Sequence, residues 1–208
     1  MLDAEKEVLG FYLSGHPLDK YKNIVEKLKT VTVQEINDKN LSGAVTIAGI
    51  ITRVKKRQNK RKEDWAQFIL EDQTGGITAN AYSRIYAEVA EKIENNAIIF
   101  LSGDIKTDAE SARTEIMVNG INTIVNAASR VARKLIINIP KDYSEVNLRQ
   151  LNSLLERGKG ATEVYFNVED EKGGPPFSVR TKYNIVIHKP LTDHIENTLG
   201  PGAWDIAR

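Results

Sequence analysis

The feature that most constrains this chain is a series of β-rich segments that occupies about 80 residues between Val45 and Val125. In the first segment apolar residues occur on both sides of the alternation, which is typical of a strand covered on two faces. The Gly75-Gly76 pair indicates a hairpin turn, because glycine readily supplies positive φ. The pattern predicts strands at residues 45–52, 65–71, 77–82, 97–103 and 114–125, with a helix at 83–92 between the third and the fourth.

This order of elements is that of an OB-fold, a five-stranded Greek-key barrel. Such barrels hold oligonucleotides or oligosaccharides on the face of strands 2 and 3, with help from the loops that join strands 1–2 and 4–5. The sequence therefore predicts an α+β, mostly β chain. We expect a helical lead-in and connector at residues 1–42, an OB-fold domain at 43–126 and a small α+β domain at 127–208.

The segments on either side of the predicted barrel supply the helices. Two helical stretches before residue 30 are separated at 14–17, where a proline ends the first. Residues 30–42 form a polar connector, in which VTVQEI (31–36) is predicted to be a short strand or turn. After a junction at 126–134, the pattern predicts strands at 135–139, 162–168 and 177–188 and helices at 144–157 and 190–199.

A basic run at residues 53–62, RVKKRQNKRK, contains seven cationic residues of ten in a chain whose net charge is +1. It falls where an OB-fold has its strand 1–2 loop, so we expect it to form that loop and to contact nucleic-acid phosphates. The competing interpretation is a solvated loop without a ligand. The candidate phosphate contacts are Arg53, Lys55, Lys56, Arg57, Lys60, Arg61 and Lys62.

Two aromatic residues are candidates for stacking on bases, an interaction that contributes about 1–3 kcal/mol per base. If Phe68 and Leu70 fill the barrel, strand pleating turns Trp65 and Gln67 outward onto the binding face. Tyr82, at the end of the third strand, is the second candidate, unless a bulge turns it inward. With so few aromatic platforms, we expect weak binding.

The predicted loop between strands 4 and 5 carries charges of both signs. Lys106 and Arg113 are candidates to hold the nucleic-acid backbone from the side opposite the basic run. Asp104, Asp108 and Glu110 belong to the same loop and repel phosphates. Phosphate contact from this side is therefore weaker than from the basic run.

The sequence offers no catalytic or metal site. Cysteine is absent, which excludes disulfides and thiolate ligands, and the three histidines lack paired ligand spacing. No P-loop, nucleophile elbow or zinc-protease motif occurs. No apolar run approaches the roughly 18 residues that a membrane span needs, and the N-terminus lacks the order of a secretion signal. We expect a soluble chain without a cofactor, a metal or a membrane partner.

Several segments together resemble one protein family. The stretch GFYLSGHPLDKY, followed by VTIAGIITRVKKR, WAQFILEDQTGG and FLSGDI, is similar in order and spacing to the alpha subunit of bacterial DNA polymerase III, the C-family replicative polymerase. The resemblance covers nearly the whole chain, and GFYLSGHPLDKY is its most specific part. The last 75 or so residues match more loosely, by position and pattern.

The resemblance implies that this chain is a C-terminal piece of a much larger DNA-directed DNA polymerase, a nucleotidyltransferase of the cytoplasm. In that family the OB domain lies near the single-stranded template, and the terminal domain binds the tau subunit of the clamp loader. The acidic residues that bind the catalytic metals lie upstream, so the piece itself is expected to be noncatalytic. Its other expected partners are single-stranded DNA and the remaining domains of the alpha subunit.

A set of apolar residues near the C-terminus is the candidate docking surface for tau. The competing interpretation for these residues is packing in the domain core. They are Leu191, Ile195, Leu199, Trp204 and Ile206.

Two other functions remain open on the sequence. The chain is a pure interaction scaffold if its OB domain touches only other polymerase domains, in which case it has no intrinsic DNA affinity. It is an RNA- or tRNA-binding module if its barrel prefers RNA to DNA of equal sequence. A measured affinity for single-stranded DNA distinguishes a DNA-binding barrel from an interaction scaffold. Competition between DNA and RNA distinguishes a DNA-binding barrel from an RNA-binding one.

Overall fold

The structure is a computed structural model that describes residues 16–107, 113–140, 145–169 and 176–208, with side chains from 148 onward in the third range. The first predicted helix, Glu5 to Leu13, lies outside these residues. Of the described residues, 16–22 and 30–122 form one compact unit, and 23–29 with 123–208 form a second. The helices are α1 (Lys22–Lys27), α2 (Val33–Asp38), α3 (Ser83–Val89), α4 (Ile124–Val131), α5 (Glu145–Arg157) and α6 (Lys189–Leu199).

The first unit is a closed barrel of five strands in the order β1-β2-β3-β5-β4. The strands are β1 (Gly43–Gln58), β2 (Asp64–Glu71), β3 (Gly76–Ala81), β4 (Ile98–Thr107) and β5 (Thr114–Thr123). Strand β1 pairs antiparallel with both β2 and β4, β2 pairs antiparallel with β3, and β3 is parallel to β5. Together with a second small sheet and the helices, this confirms the predicted α+β, mostly β class.

Alternating side chains of the strands fill the barrel. On β2, Ala66, Phe68 and Leu70 are fully buried, because every second residue of a strand points to the same face. Burial of one large apolar side chain contributes about 1.5–3 kcal/mol. The strands also approach closely, since a Cβ on Gly103 would lie only 2.5 Å from the backbone oxygen of Met117. Glycine is therefore required at that position.

Residues 33–38 form helix α2, so the strand or turn predicted for VTVQEI is wrong. Thr32 is the N-cap, and its Oγ1 accepts a hydrogen bond from the backbone N–H of Glu35 at 3.1 Å. Glu35 Oε2 in turn accepts from the backbone N–H of Thr32 at 3.1 Å, which completes a capping box. A hydrogen bond from Lys39 is the main cause that lowers the pKa of Glu35. This local network favours a helix over the extended chain.

The helix between β3 and β4 occurs where the sequence predicted it. Helix α3 continues as a 3₁₀ turn over Ala90–Lys92. Its N-cap is Tyr82, the residue before Ser83, and no side chain caps it. Val89 of this helix belongs to the buried cluster of the barrel.

The second unit is built on a four-stranded sheet in the order β8-β7-β6-β9. Its strands are β6 (Lys134–Ile139), β7 (Thr162–Val168), β8 (Phe177–Ile185) and β9 (Trp204–Ala207). Strands β6 and β7 are parallel, and the other two pairs are antiparallel. Helix α6 packs against α5, α4, β6 and β9. No helix in the described part of the chain is long and apolar enough to cross a bilayer.

Two segments of the second unit differ from the prediction. Residues 126–134, predicted to be a junction, lie mostly within helix α4, whose N-cap Thr123 accepts from the backbone N–H of Asn126 at 3.1 Å. Residues near the C-terminus, predicted to be a surface or tail, form strand β9, which pairs with β6. The Thr123 cap stabilises the start of α4, and pairing with β6 stabilises β9. The periodicity of apolar residues indicates neither interaction.

Most of the predicted tau-docking residues lie inside this second unit. Leu191, Ile195, Trp204 and Ile206 are each at most 2% exposed. Only Leu199 is half-buried. The competing interpretation, packing in the core, describes the first four side chains, because α6 packs on β6 and β9, and β9 is itself a strand of the sheet. A docking surface on this unit must use other residues.

Candidate nucleic-acid interface

Six of the ten residues of the basic run, 53–58, lie on a strand, not in a loop as predicted. Strand β1 extends to Gln58, and its end pairs with the start of β2, which places Lys55 opposite Gln67 and Arg57 opposite Trp65. The connecting loop is confined to residues 59–63. Hydrogen bonding to β2 overrides the weak strand propensity of consecutive cations, which is why sequence pattern placed the strand end too early.

A β-bulge separates the buried part of β1 from its basic part. The register with β2 shifts between Thr52 and Lys55. Within the shift, Arg53 adopts a left-handed φ of +53°, and the backbone N–H of Val54 donates to Asn95 Oδ1 at 3.2 Å. One extra residue on β1 changes which side chains face outward beyond this point.

The pleat of β1 divides the cations between two sides. Lys55 and Arg57 share the outer face with their partners Gln67 and Trp65, because paired residues point the same way. The paired ends of β1 and β2, residues 55–58 and 64–67, form a two-stranded ribbon. Lys56 pairs with Ala66, whose side chain points into the barrel, so Lys56 lies on the side of this ribbon opposite Lys55 and Arg57. Adjacent cations in the sequence therefore do not face the same ligand.

The loop between β1 and β2 is organised by one asparagine. Asn59 Oδ1 accepts hydrogen bonds from the backbone N–H groups of Arg61 and Glu63, at 2.8 and 3.0 Å. Asn59 Nδ2 donates to Glu63 Oε2 at 2.7 Å, and the backbone N–H of Asn59 donates to the backbone carbonyl oxygen of Glu63 at 3.0 Å. Exposed cations, Lys60, Arg61 and Lys62, are thus carried on a loop with a defined conformation.

An arginine and two aromatic rings form a row, with Arg57 on β1, Trp65 on β2 and Tyr82 directly after β3. The Arg57 guanidinium lies 5.7 Å from the centre of the Trp65 ring. The Trp65 and Tyr82 rings are stacked, with centroids 5.4 Å apart and an angle of 28° between their planes. Arg57 reaches the Trp65 ring from β1, and Tyr82 reaches it from the end of β3, so the ring lies between these two neighbours. Tyr82 is 47% exposed, so its outer side is the available stacking surface.

Next to this row lies a chain of polar side chains that the sequence analysis missed, apart from Gln67. Gln67 Nε2 donates to Asn80 Oδ1 at 3.0 Å, and Asn80 Nδ2 donates to Glu115 Oε2 at 2.7 Å. Asn80 is only 3% exposed, so its two bonds fix both neighbours. The outward register positions of β2 and β3 would have indicated Asn80, but the β3–β5 pairing that brings Glu115 here has no sequence signal.

Gln67 and Glu115 line a surface depression of about 410 Å³, together with Thr78, Arg113 and Thr114. Arg113 precedes β5 and is exposed. Asn37 of α2 also lines it, with Gly76 and Ile77 of β3. The depression therefore combines hydroxyl, amide, carboxylate and guanidinium groups contributed by α2, β2, β3, β5 and the residue before β5.

The second predicted cation of the strand 4–5 region is placed differently. Lys106 is exposed near the end of β4, and it does not line the depression. Asp104 accepts a hydrogen bond from Asn119 Nδ2 at 2.6 Å. Asp108 and Glu110, the other predicted acidic neighbours, lie outside the described residues. Among the residues that the structure describes, no three His, Asp or Glu side chains come together to hold a metal ion.

Comparison with known proteins finds similarity to an OB-fold family and to DNA polymerase III alpha subunits. Residues 45–124 match the family model described as an OB-fold nucleic acid binding domain. The DNA polymerase III alpha subunit of Aquifex aeolicus is 28% identical over 93% of this chain and 15% of its own length. That of Haemophilus influenzae is 23% identical over 99% of this chain and 18% of its own length.

The likeness to solved structures is looser. An asparaginyl-tRNA synthetase from Pyrococcus horikoshii aligns at 18% identity and a TM-score of 0.37, over 46% of this chain and 23% of its own. At that score the likeness has no bearing on function. Homologues named DNA polymerase III subunit alpha thus cover the chain, which itself spans less than a fifth of their length, and its barrel is an OB-fold domain.

Proposed function

We propose that this chain is a noncatalytic, C-terminal part of a cytoplasmic replicative DNA polymerase alpha subunit, and that its barrel binds single-stranded template DNA weakly. The observation that carries the proposal is the position of the row Arg57, Trp65 and Tyr82 beside Lys55 on one outer face of the barrel. Single-strand binding requires these two elements together, namely cations along the backbone and an aromatic surface for the bases.

The cations fix the position of the strand without reading its sequence. Lys55 and Arg57 on β1, and the exposed cations of the 59–63 loop, lie along the edge of the aromatic row. Each neutralised phosphate on a single strand contributes about −0.7 to the slope of log K against log salt. Four such contacts would give a slope of about −3, so we expect binding to weaken steeply with salt.

The aromatic row explains why the binding is expected to be weak. Trp65 lies between Arg57 and Tyr82, so the row offers a base one open aromatic surface. One stacked base contributes about 1–3 kcal/mol. A weak grip suits a template that must move through the polymerase.

We propose further that the second unit attaches the alpha subunit to the tau subunit of the clamp loader and to its own other domains. This proposal is supported by the similarity to alpha subunits over both units of the chain. Because the predicted docking side chains are largely buried, the attachment would use exposed residues of α5, α6 or β8. Co-elution of the purified chain with purified tau on size exclusion tests it, and separate elution at micromolar concentration contradicts it.

Fluorescence anisotropy with labelled oligo-dT at increasing salt tests DNA binding. The test variant replaces three cations of the interface with glutamine, namely Lys55, Arg57 and Arg61. The control removes the same charge from exposed positions of the second unit, namely Arg157, Lys159 and Lys189. We expect the test variant to reduce the magnitude of the salt slope by about 2, and the control to leave it unchanged.

Two results would contradict the proposal. If the unmodified chain has no measurable affinity for oligo-dT, the barrel acts as an interaction scaffold. If binding does not depend on salt, or the two variants lose affinity equally, the interface lies elsewhere on the chain.

A further inference from the structure

We propose that the depression on the outer face of β2, β3 and β5 is a base-reading subsite that favours nucleobases with an exocyclic amine over uracil and thymine. This inference rests on the proposed function, because it requires that a single strand lies on this face. It assigns Glu115 and Gln67 a role in selecting bases, whereas the cations and the aromatic row bind any sequence.

The hydrogen-bond chain beneath the depression has a fixed direction. An ionised carboxylate only accepts hydrogen bonds, so Asn80 must present its Nδ2 to Glu115. Asn80 Oδ1 then faces Gln67 and accepts from Gln67 Nε2. Because Asn80 is buried, neither amide can turn over without leaving a polar group unsatisfied.

This direction decides which groups remain for a ligand. Glu115 uses Oε2 towards Asn80, which leaves Oε1 as a charged acceptor beside the depression. Gln67 retains its Oε1 acceptor and one N–H. Arg113, at the β5 end, supplies donors for a carbonyl oxygen or a phosphate. A base with an exocyclic amine can donate a hydrogen bond to Glu115 Oε1. A base with a carbonyl at that position places one acceptor against another, which is unfavourable.

The location of the depression fits the nucleotide next to the stacked base. Gln67 follows Trp65 by two residues on β2, which is a distance of about 7 Å along the strand. A volume of about 410 Å³ admits a base and part of its sugar. The carboxylate lies on β5, away from the cations of β1, so it faces the base side of a bound strand and not its phosphates.

Two pyrimidine homopolymers of equal length, oligo-dC and oligo-dU, provide the probe. Their bases carry an amine or a carbonyl at C4, and their backbones are the same. We expect the unmodified chain to bind oligo-dC about five- to tenfold more tightly. An oligo-dC whose N4 carries two methyl groups keeps the ring, N3 and O2 of cytosine, but it loses both donors and is bulkier at N4, so we expect it to bind no more tightly than oligo-dU.

Glu115→Gln keeps the size of the side chain but replaces an acceptor by an amide that also donates. We expect this variant to lose the preference for oligo-dC, because Asn80 Nδ2 holds the amide oxygen and the depression then faces an N–H donor. We expect it to keep the salt slope of the unmodified chain. The dimethylated oligonucleotide tests the inference on the unmodified protein, so a poorly folded variant does not leave it undecided.

The outcomes separate the two proposals. If neither oligonucleotide binds, the proposed function fails. If both bind with the same salt-dependent affinity, the function stands and the base-reading subsite is overturned. A preference for oligo-dC that persists in Glu115→Gln and with the dimethylated base also overturns the inference, because the amine is then not recognised by this carboxylate.

Discussion

Tyr82 is the residue on which base stacking would depend in the proposed interface. Trp65 is the larger ring and the more obvious platform in the sequence, but it lies between Arg57 and Tyr82. Trp65 therefore holds Tyr82 in position, and Tyr82 presents the open side. The aromatic residue that the sequence pattern favours, Trp65, and the one proposed to contact a base, Tyr82, are neighbours, and only the stacking geometry distinguishes them.

We expect Tyr82→Ala to weaken oligo-dT binding by about 1–3 kcal/mol, because it removes the open stacking surface. Tyr82→Phe keeps the ring and should bind like the unmodified chain. Tyr82 caps α3 through its backbone only, so neither change should unfold the helix. Anisotropy titrations of the three proteins check this prediction, and equal losses in the two variants would show that the hydroxyl, not the ring, is important.

At the scale of single elements, the end of β1 acts as a ribbon with two different sides. Lys55 faces outward with Gln67, whereas Lys56 is turned away with Ala66. We expect Lys55→Gln to reduce the magnitude of the salt slope by about 0.7, which corresponds to one phosphate, and Lys56→Gln to change it little. Salt titrations of the two variants, which carry the same charge, make the comparison. Equal effects would indicate a flexible ribbon instead of a paired strand.

The 59–63 loop is an element held by the side chain of Asn59. Asn59→Ala removes the acceptor of two backbone N–H groups and the donor to Glu63. We expect a loss of about 1 kcal/mol in the free energy of unfolding, measured by urea denaturation, because these bonds are solvent-exposed. Amide exchange at Arg61 and Glu63 should become faster. The double variant Asn59→Asp, Glu63→Gln keeps the acceptor and restores a side-chain hydrogen bond with donor and acceptor exchanged, so it is the control for both measurements.

The elements that sequence could predict are those with a local signal. Apolar alternation identified all five barrel strands, and β2 behaves as its pattern indicates, with Phe68 inside and Trp65 on the outer side. The extension of β1 has no such signal, because its strand structure comes from pairing with β2 across the bulge. Helix α2 had a signal that was overlooked, the Thr32 and Glu35 spacing of a capping box.

In the candidate site, too, some residues have a local sequence signal and others depend on strand pairing. The cations and aromatic residues were identified by type, since charge and ring size are properties of single residues. Asn80 and Glu115 were missed because polar residues on strands become a site only when β3 and β5 meet. The stacking of Trp65 on Tyr82 likewise depends on the register of two strands.

For the whole molecule, a net charge of only +1 means that attraction to nucleic acid is local. The phosphates and the faces of the bases, on which the proposed interface acts, are common to DNA and RNA. We therefore expect RNA of equal sequence to compete no better than DNA for the bound oligonucleotide. Competition anisotropy at one fixed salt concentration measures this. Displacement by RNA at tenfold lower concentration would favour the RNA-binding alternative.

The bulge at Arg53 also sets the phase of the charge pattern along β1. Its extra residue decides that Lys55 and Arg57 stand beside Gln67 and Trp65. If β1 continued from Thr52 without the bulge, the same sequence would place Val54 beside Gln67 and Lys56 beside Trp65, and the two sides would be exchanged. Whether a cation of this ribbon faces the proposed interface therefore depends on its odd or even position after the bulge. A count of basic residues does not reveal that position.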